Sequence, residues 1–286
     1  MRSNENHINR EEESLFQKLE VPYNESKEQI WDKLSEKINA PAAPVKETKI
    51  IPMHWFKMAA AAAAVLLFGV SLFFGLYTHT IHCPRGEHLA YTLPDGSTIE
   101  MNAASKLSYH PFWWSIKRTV SLEGEAFFSV KKGSTFTVVS EKGTTQVLGT
   151  SFNISTRNNQ YEVFCATGKV RVAANNTSEE IILSPNMFAR INGKLEVVNA
   201  ISAEHVLAWK ENKFHFTART LQEVFNEIER QYDITVQLDV DNATELTYTG
   251  HFKRSKTPED VLNLICHPFG FTFVKQENDN YKVSQN

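Results

Sequence analysis

The chain has 286 residues, with 30 Lys and Arg against 33 Asp and Glu and a net charge of −3, so no broad basic surface points to direct nucleic-acid binding. Its three cysteines, Cys83, Cys165 and Cys266, are odd in number and far apart, which argues against a disulfide-stapled exterior. Length leaves room for one or two domains.

Residues 1–57 read as a helical arm. Ile8, Leu15, Phe16 and Leu19 share one helical face, with Glu11, Glu12 and Glu13 on the wetter side. Val21-Pro22-Tyr23-Asn24 breaks that run. Ser26 and Gln29 form a capping-box signature, and Ile30, Trp31, Leu34 and Ile38 line a stripe behind it. Ala40-Pro41-Ala42-Ala43-Pro44 is a linker. Two helices of about a dozen residues are marginal in water by themselves. The arm therefore reads as a segment that folds on a partner, its stripes laid into grooves. A self-packed hairpin or a frayed tail is the plainer alternative.

Residues 58–77 (Met58–Tyr77) carry no charge and are about long enough to span a bilayer as a helix. Trp55 and Tyr77 flank them where interfacial aromatics belong. The alternatives are a buried core helix and a signal peptide, although 57 residues precede the stretch. Lys46, Lys49 and Lys57 lie before the span and only Arg85 within a comparable distance after it, which predicts a cytoplasmic N-terminus and a translocated C-terminal mass. Cys83 then reads as a juxtamembrane thiol, and Cys165 and Cys266 as small buried residues.

Residues 85–199 read as strands and turns. Leu93-Pro94-Asp95-Gly96-Ser97 predicts a hairpin between His88–Leu93 and Thr98–Asn102. Further strands are expected at Thr119–Leu122, Glu125–Lys131, Thr135–Ser140, Thr145–Leu148, Ser151–Thr156, Tyr161–Cys165, Lys169–Ala173, Ile181–Leu183 and Phe188–Ile191. Such spacing predicts an all-β sandwich or a solenoid-like twist of strands.

Residues 209–286 change period. Lys213–Phe216 reads as strand. Thr220 and Glu223 open a helix with the stripe Leu221, Val224, Phe225, Ile228 and Tyr232. Strands Ile234–Leu238 and Leu246–Phe252 follow. A second helix, capped at Thr257 with Pro258 at its first position, carries Val261, Leu264 and Ile265. Phe271–Lys275 and Tyr281–Val283 close a compact βαββαββ α+β motif.

Six runs in the first of these regions occur in one order: LPDGS from Leu93, NAASKLSY from Asn102, LEGEAFFSV from Leu122, FTV from Phe136, VLGTSFNI from Val147 and GKVRV from Gly168. Together they resemble the FecR family of transmembrane anti-sigma regulators, over about Arg85 to Asn199. The last domain is similar to the small signalling module that begins secretins and TonB-dependent transporters, and to the domain that follows FecR in many such regulators. Trp209, Phe214 and Leu221 fit its W…F…L opening. In the arm the chain departs from the family pattern, keeping little beyond Trp31-Asp32-Lys33-Leu34.

The resemblance implies a single-pass protein of the inner (cytoplasmic) membrane with its C-terminus in the periplasm. Its arm would bind an extracytoplasmic-function (ECF) sigma factor through Leu15, Phe16, Leu19, Ile30, Trp31, Leu34 and Ile38. Its exterior would answer the signalling domain of a TonB-dependent outer-membrane transporter, pairing a strand from Leu246–Phe252 or Tyr281–Val283. The signal would pass by proteolysis in or near the span. A structural envelope protein, docking on a transporter or secretin without sigma regulation, is the rival class.

No enzyme, cofactor or metal is expected. No nucleophile elbow, phosphate loop or paired-carboxylate motif is present. His79, His82, Cys83 and His88 suit zinc by type, but their spacing matches no standard site. Asp233, Asp239 and Asp241 read as turn formers and solvated surface. Some family members resemble self-processing proteins that break a Gly–Thr bond, which makes Gly149 and Thr150 the one candidate pair. The reading preferred here is a bulge at Gly149, with Thr150 continuing a strand.

Overall fold

The computed structural model describes residues 24–41, 53–198, 202–240 and 243–285. The chain resolves into two units, Met1–Ala62 and Ala63–Asn286. Helix α1 (Lys27–Asn39) starts at the predicted capping box: Ser26 Oγ accepts from the Gln29 amide at 3.3 Å, and Gln29 Oε1 accepts from the Ser26 amide at 2.9 Å. These bonds satisfy two amides that a helix start leaves orphaned. Ala40, before Pro41, is extended, and the helix ends there. The helix predicted around Ile8 to Leu19, and Lys46 and Lys49, lie outside the described residues.

The apolar stretch forms helix α2 (Met53–Leu76), which starts five residues earlier than the predicted span. Within it Trp55–Leu76, 22 residues with a mean hydropathy of 2.3, is long and apolar enough to cross a membrane, and none of it is buried by the protein. A core helix of this composition would be covered, so that alternative fails.

Two seven-stranded sheets follow. The first runs, edge to edge, β1 (His79–Cys83), β4 (Ser105–Tyr109), β5 (Arg118–Glu123), β7 (Phe136–Val139), β8 (Gly143–Val147), β11 (Val170–Ala174) and β12 (Glu180–Leu183). The second runs β2 (Leu89–Thr92), β3 (Thr98–Met101), β6 (Glu125–Ser129), β9 (Ser151–Ser155), β10 (Tyr161–Thr167), β13 (Phe188–Asn192) and β14 (Lys194–Val198). Strand order follows chain order in both. The chain thus zigzags between sheets while advancing along them, and the two predicted descriptions, sandwich and solenoid-like twist, apply together. Pairing is antiparallel except between β5 and β7, which β6 separates by a visit to the other sheet. Alternating residues of both sheets, among them Leu107, Val120 and Val138 facing Ile99, Phe128 and Phe152, form one core. Strands β1, β4 and β14 lie outside those the sequence predicts. Because β1 is part of the sandwich, Cys83 is a buried core residue rather than a juxtamembrane thiol. All three cysteines are buried and free, and burial pushes Cys165 and Cys266 up to about 11.

After a short helix α3 (Ala203–Val206) comes the α+β domain: β15 (Lys213–Thr220), α4 (Leu221–Tyr232), β16 (Thr235–Asp239), β17 (Thr247–Lys253), α5 (Pro258–Cys266), β18 (Phe271–Lys275) and β19 (Asn280–Gln285). The element order is the predicted one. Its strands form two sheets, β15-β17 and β16-β19-β18, over a second core that holds Phe214, Val224, Phe225, Ile228, Val261 and Tyr281. Tyr281–Val283 is therefore a central strand with both sides paired, and cannot add a partner strand as expected. In α5 the buried face is Val261, Leu262, Ile265 and Cys266; Leu264, expected inside, is 51% exposed. The Thr257 side chain makes no capping bond to that helix and donates instead to Asp260 at 2.6 Å.

Candidate functional site

In the arm, α1 presents the predicted stripe to solvent. Trp31 is 69% exposed, Leu34 48% and Ile38 71%, and Ile30 is half-buried. No residue of α1 is buried. Burying a Leu or Ile side chain stabilises by about 1.5–3 kcal/mol relative to leaving it in water, so this face is an unsatisfied surface. Leu15, Phe16 and Leu19 lie outside the described residues.

The second constellation joins the sandwich to the α+β domain and is built on α4. The apolar face of α4 enters the second core while its polar face enters the sandwich. Glu227 Oε2 accepts from Arg157 Nη1 at 2.6 Å and from Arg230 Nη2 at 2.7 Å. Gln231 Nε2 donates to Asn102 Oδ1 at 2.7 Å and to Glu227 Oε1 at 2.9 Å. Glu125 accepts from Asn102 Nδ2 at 2.8 Å and from Asn153 Nδ2 at 3.0 Å, and lies 3.7 Å from Arg157. His88 Nε2 donates to Gln231 Oε1 at 3.1 Å, and its ring meets Trp209 edge-on at 5.3 Å. Outside this knot, Lys210 pairs with Glu100 at 2.9 Å, and Glu162 accepts from Arg190 and Arg219 at 2.8 and 3.2 Å. A cleft of about 470 Å³ runs along the seam, lined by Asn153, Arg157, Trp209 and His215 among others.

Two carboxylates share one guanidinium here. Burial raises both, but Arg157 and Arg230 converge on Glu227 and hold it down at about 2. Glu125 is pushed up by burial and by the Glu227 charge, against the pull of Arg157. Burial also lowers His88. A buried ion pair of this kind is costly to half-dismantle, because the surviving partner is left charged and dry. The knot is thus a latch, and the sandwich ends of Asn102, Glu125 and Asn153 come from three of the six sequence motifs. None of Asn102, Glu125, Asn153, Arg157, Glu227 and Gln231 is a site residue in the sequence reading, and His88 enters it only as a zinc-type side chain. A polar residue at motif positions that neighbouring strands would bury was the available signal.

Asp95 in the Leu93–Ser97 turn makes a smaller knot. Burial would raise its carboxyl, but bonds from the Ser97 amide and hydroxyl and from Arg118 hold it below the usual carboxylate range. Arg118 also reaches the Ser134 carbonyl at 2.7 Å, tying the turn to the neighbouring loop.

Gly149 and Thr150 lie in the crossover between β8 and β9, so Thr150 does not continue a strand, and the nearby register shift is in β10 between Cys165 and Thr167. Gly149 has φ +156°, and a Cβ there would come within 2.7 Å of the Lys132 Cα; only glycine fits. Thr150 is buried, its carbonyl accepts from the Val130 amide at 2.9 Å, and its hydroxyl has no hydrogen-bond partner. The zinc-like residues disperse: His79 packs beside Tyr91 and Tyr109, His82 is exposed, Cys83 is buried and His88 joins the seam. Asp233 caps α4 with φ 53° and Asp239 pairs with Lys282 at 2.9 Å, while Asp241 lies outside the described residues.

Residues 79–171 match the family model described as FecR protein, starting at β1, and residues 213–283 match the one described as FecR, C-terminal. Together they take in more than half of the chain. Two crystal structures, at 2.50 Å and 1.65 Å, of a candidate anti-sigma factor from Parabacteroides distasonis ATCC 8503 are similar to this chain. Each has a TM-score of 0.66, with 28% and 29% identity, and covers 73% of this chain and 100% and 99% of its own. No curated protein matches.

Proposed function

The chain belongs to the FecR family, and from that premise we propose that it is a membrane-anchored anti-sigma regulator whose α1 holds an ECF sigma factor. The observation that carries this reading is the solvent-facing stripe Ile30, Trp31, Leu34 and Ile38, on a well-capped helix ahead of a membrane-length helix. The lysines before the span favour a cytoplasmic arm and a periplasmic C-terminal mass in the inner membrane. A tag after residue 286 is then reached by a membrane-impermeant reagent outside the inner membrane, and one before Met1 is not; the reverse pattern overturns the orientation.

The α+β domain would engage the signalling domain of a TonB-dependent transporter through β17, a sheet edge that overlaps the expected Leu246–Phe252. What supports a relay is the latch: α4 has one face in each domain, so a pull on the α+β domain reaches the sandwich and β1, which follows α2. The full chain should co-purify with that signalling domain, and failure to do so removes this half of the account.

A second reading has its own observation, the unpartnered Thr150 hydroxyl beside the constrained Gly149. Thr150 Oγ adds to the Gly149 carbonyl carbon and the peptide C–N bond breaks. The hydroxyl proton passes to the freed Thr150 amine. Water then hydrolyses the ester, leaving a Gly149 carboxylate and restoring the hydroxyl. The two pieces stay together, since β6 pairs with β9 and β8 with β11 across the break. Intact mass under denaturing conditions should give two fragments for the natural chain and for Thr150→Ser, and one for Thr150→Ala. A single unbroken natural chain rejects the step.

A further inference from the structure

The exit of α2 leads straight into the sandwich. Only Tyr77 and Thr78 separate Leu76 from β1, and two residues reach roughly 7 Å at full extension. The edge of the first sheet is therefore held at the boundary of whatever α2 crosses. The β4–β5 loop lies at that spot, because His79 pairs with Tyr109 at the end of β4. Its first residue, His110, donates from Nδ1 to the Tyr77 carbonyl at 3.1 Å. Phe112 packs edge-on against Phe74, in the last turn of the apolar helix, at 4.5 Å, and lies 5.6 Å from Tyr77.

The loop divides its side chains. Trp114 is buried, against Tyr109 at 5.2 Å and Phe136 at 5.9 Å. The Ile116 and Lys117 amides both donate to the Trp113 carbonyl, at 3.0 and 2.8 Å. Phe112, Trp113 and Ile116 are turned outward, 50%, 47% and 75% exposed. Three large apolar side chains beside one another in water is a patch that needs a cover. Since the Phe112 ring touches a residue inside the apolar helix, it must sit at the depth of that helix's last turn.

We infer that the β4–β5 loop is a second membrane anchor, with Phe112, Trp113 and Ile116 seated in the interface of the leaflet that α2 leaves. The occupant is the bilayer that α2 crosses. Aromatic residues favour this layer, where a ring is half in hydrocarbon and half wet. With α2 as one attachment and the loop as another, the sandwich is fixed in tilt as well as in distance. A movement of the latch then turns the exit of α2 rather than being lost in a free swivel.

This inference rests on α2 being a membrane span, and the test separates the two. The full chain is reconstituted in phosphatidylethanolamine–phosphatidylglycerol vesicles as single variants Trp113→Cys, Ile116→Cys, Leu72→Cys, Ile182→Cys and Val274→Cys, each labelled with a nitrobenzoxadiazole dye. The three natural cysteines are buried, and the unsubstituted chain gives the labelling background. Quenching by lipids with a nitroxide near the headgroup should remove as much dye signal at 113 and 116 as at 72. Positions 182, on the opposite edge of the first sheet, and 274, in the α+β domain, should keep theirs. Quenching at 72 alone overturns the loop anchor while the span stands. No quenching at 72 rejects the span and the anchor with it, and equal quenching at all five positions overturns the specific seat.

Discussion

Helices α1 and α4 are built by the same local rules and meet opposite fates. Both open on a full capping box, Ser26 with Gln29 and Thr220 with Glu223, and they run 13 and 12 residues. Both carry an apolar stripe. Yet α4 buries Leu221, Val224, Phe225 and Ile228 in a core and Gln231 in the latch, whereas α1 buries nothing. The stability of α4 is settled within the chain. That of α1 waits on a surface from elsewhere, because a helix this short gains most of its stability from packing.

The comparison breaks most sharply by truncating one anchor in each helix. Phe225→Ala should destabilise the α+β domain by about 3–5 kcal/mol, read as a lower denaturation midpoint. Trp31→Ala should leave that midpoint unmoved, since Trp31 is 69% exposed. A matching loss from both would mean that α1 is packed within the chain.

The polar face of α4 gives the next test. Arg157→Ala leaves Glu125 and Glu227 buried without their shared cation and should cost about 3–5 kcal/mol, seen as faster proteolysis of the seam. Glu227→Gln should cost more than Glu125→Gln, because Glu227 holds its charge and Glu125 is already pushed toward its neutral form. The pH dependence follows in sign. Glu227 is depressed from 4.5 to about 2, so its contribution is present above pH 4.5 and lost as pH falls toward 2. Glu125 is raised, so its contribution is present at low pH and lost as pH rises through its folded value. Glu227→Gln should shrink the acid-side loss by the share that Glu227 contributes, leaving that of other depressed carboxylates such as Asp95; an unchanged acid limb would contradict the latch.

What was legible in the sequence was local. Both capping boxes, the apolar span and the Leu93–Ser97 turn announce themselves within a few residues, and the structure has them in place. Strands β1 and β4 did not, because β1 follows the span without a turn signal and Ser105, buried at the start of β4, looks polar. Strand β14 was missed although Asn192-Gly193 before it is a hairpin signal. In α5 five apolar residues among nine leave the phase ambiguous, and Leu262 rather than Leu264 faces inward. The latch was the hardest to see. Arg157 and Glu227 are 70 positions apart, and no periodicity links a loop arginine to the polar face of a distant helix.

The smallest effects come from the caps. Ser26→Ala and Thr220→Ala should each cost about 1 kcal/mol of helix stability. The first should appear only as weaker partner binding and the second as a lower denaturation midpoint of the α+β domain. Equal shifts in that midpoint would erase the difference between the helices.

The most direct test of the central claim is the affinity of the full chain, in detergent or nanodiscs, for the ECF sigma factor that we propose α1 holds, with Trp31→Ala and Leu34→Asp beside the natural chain. Each change should cost about 2 kcal/mol or more, roughly a 30-fold loss of affinity, with the fold unaltered. Unchanged affinity in both would show that the exposed face of α1 is not where the sigma factor is held.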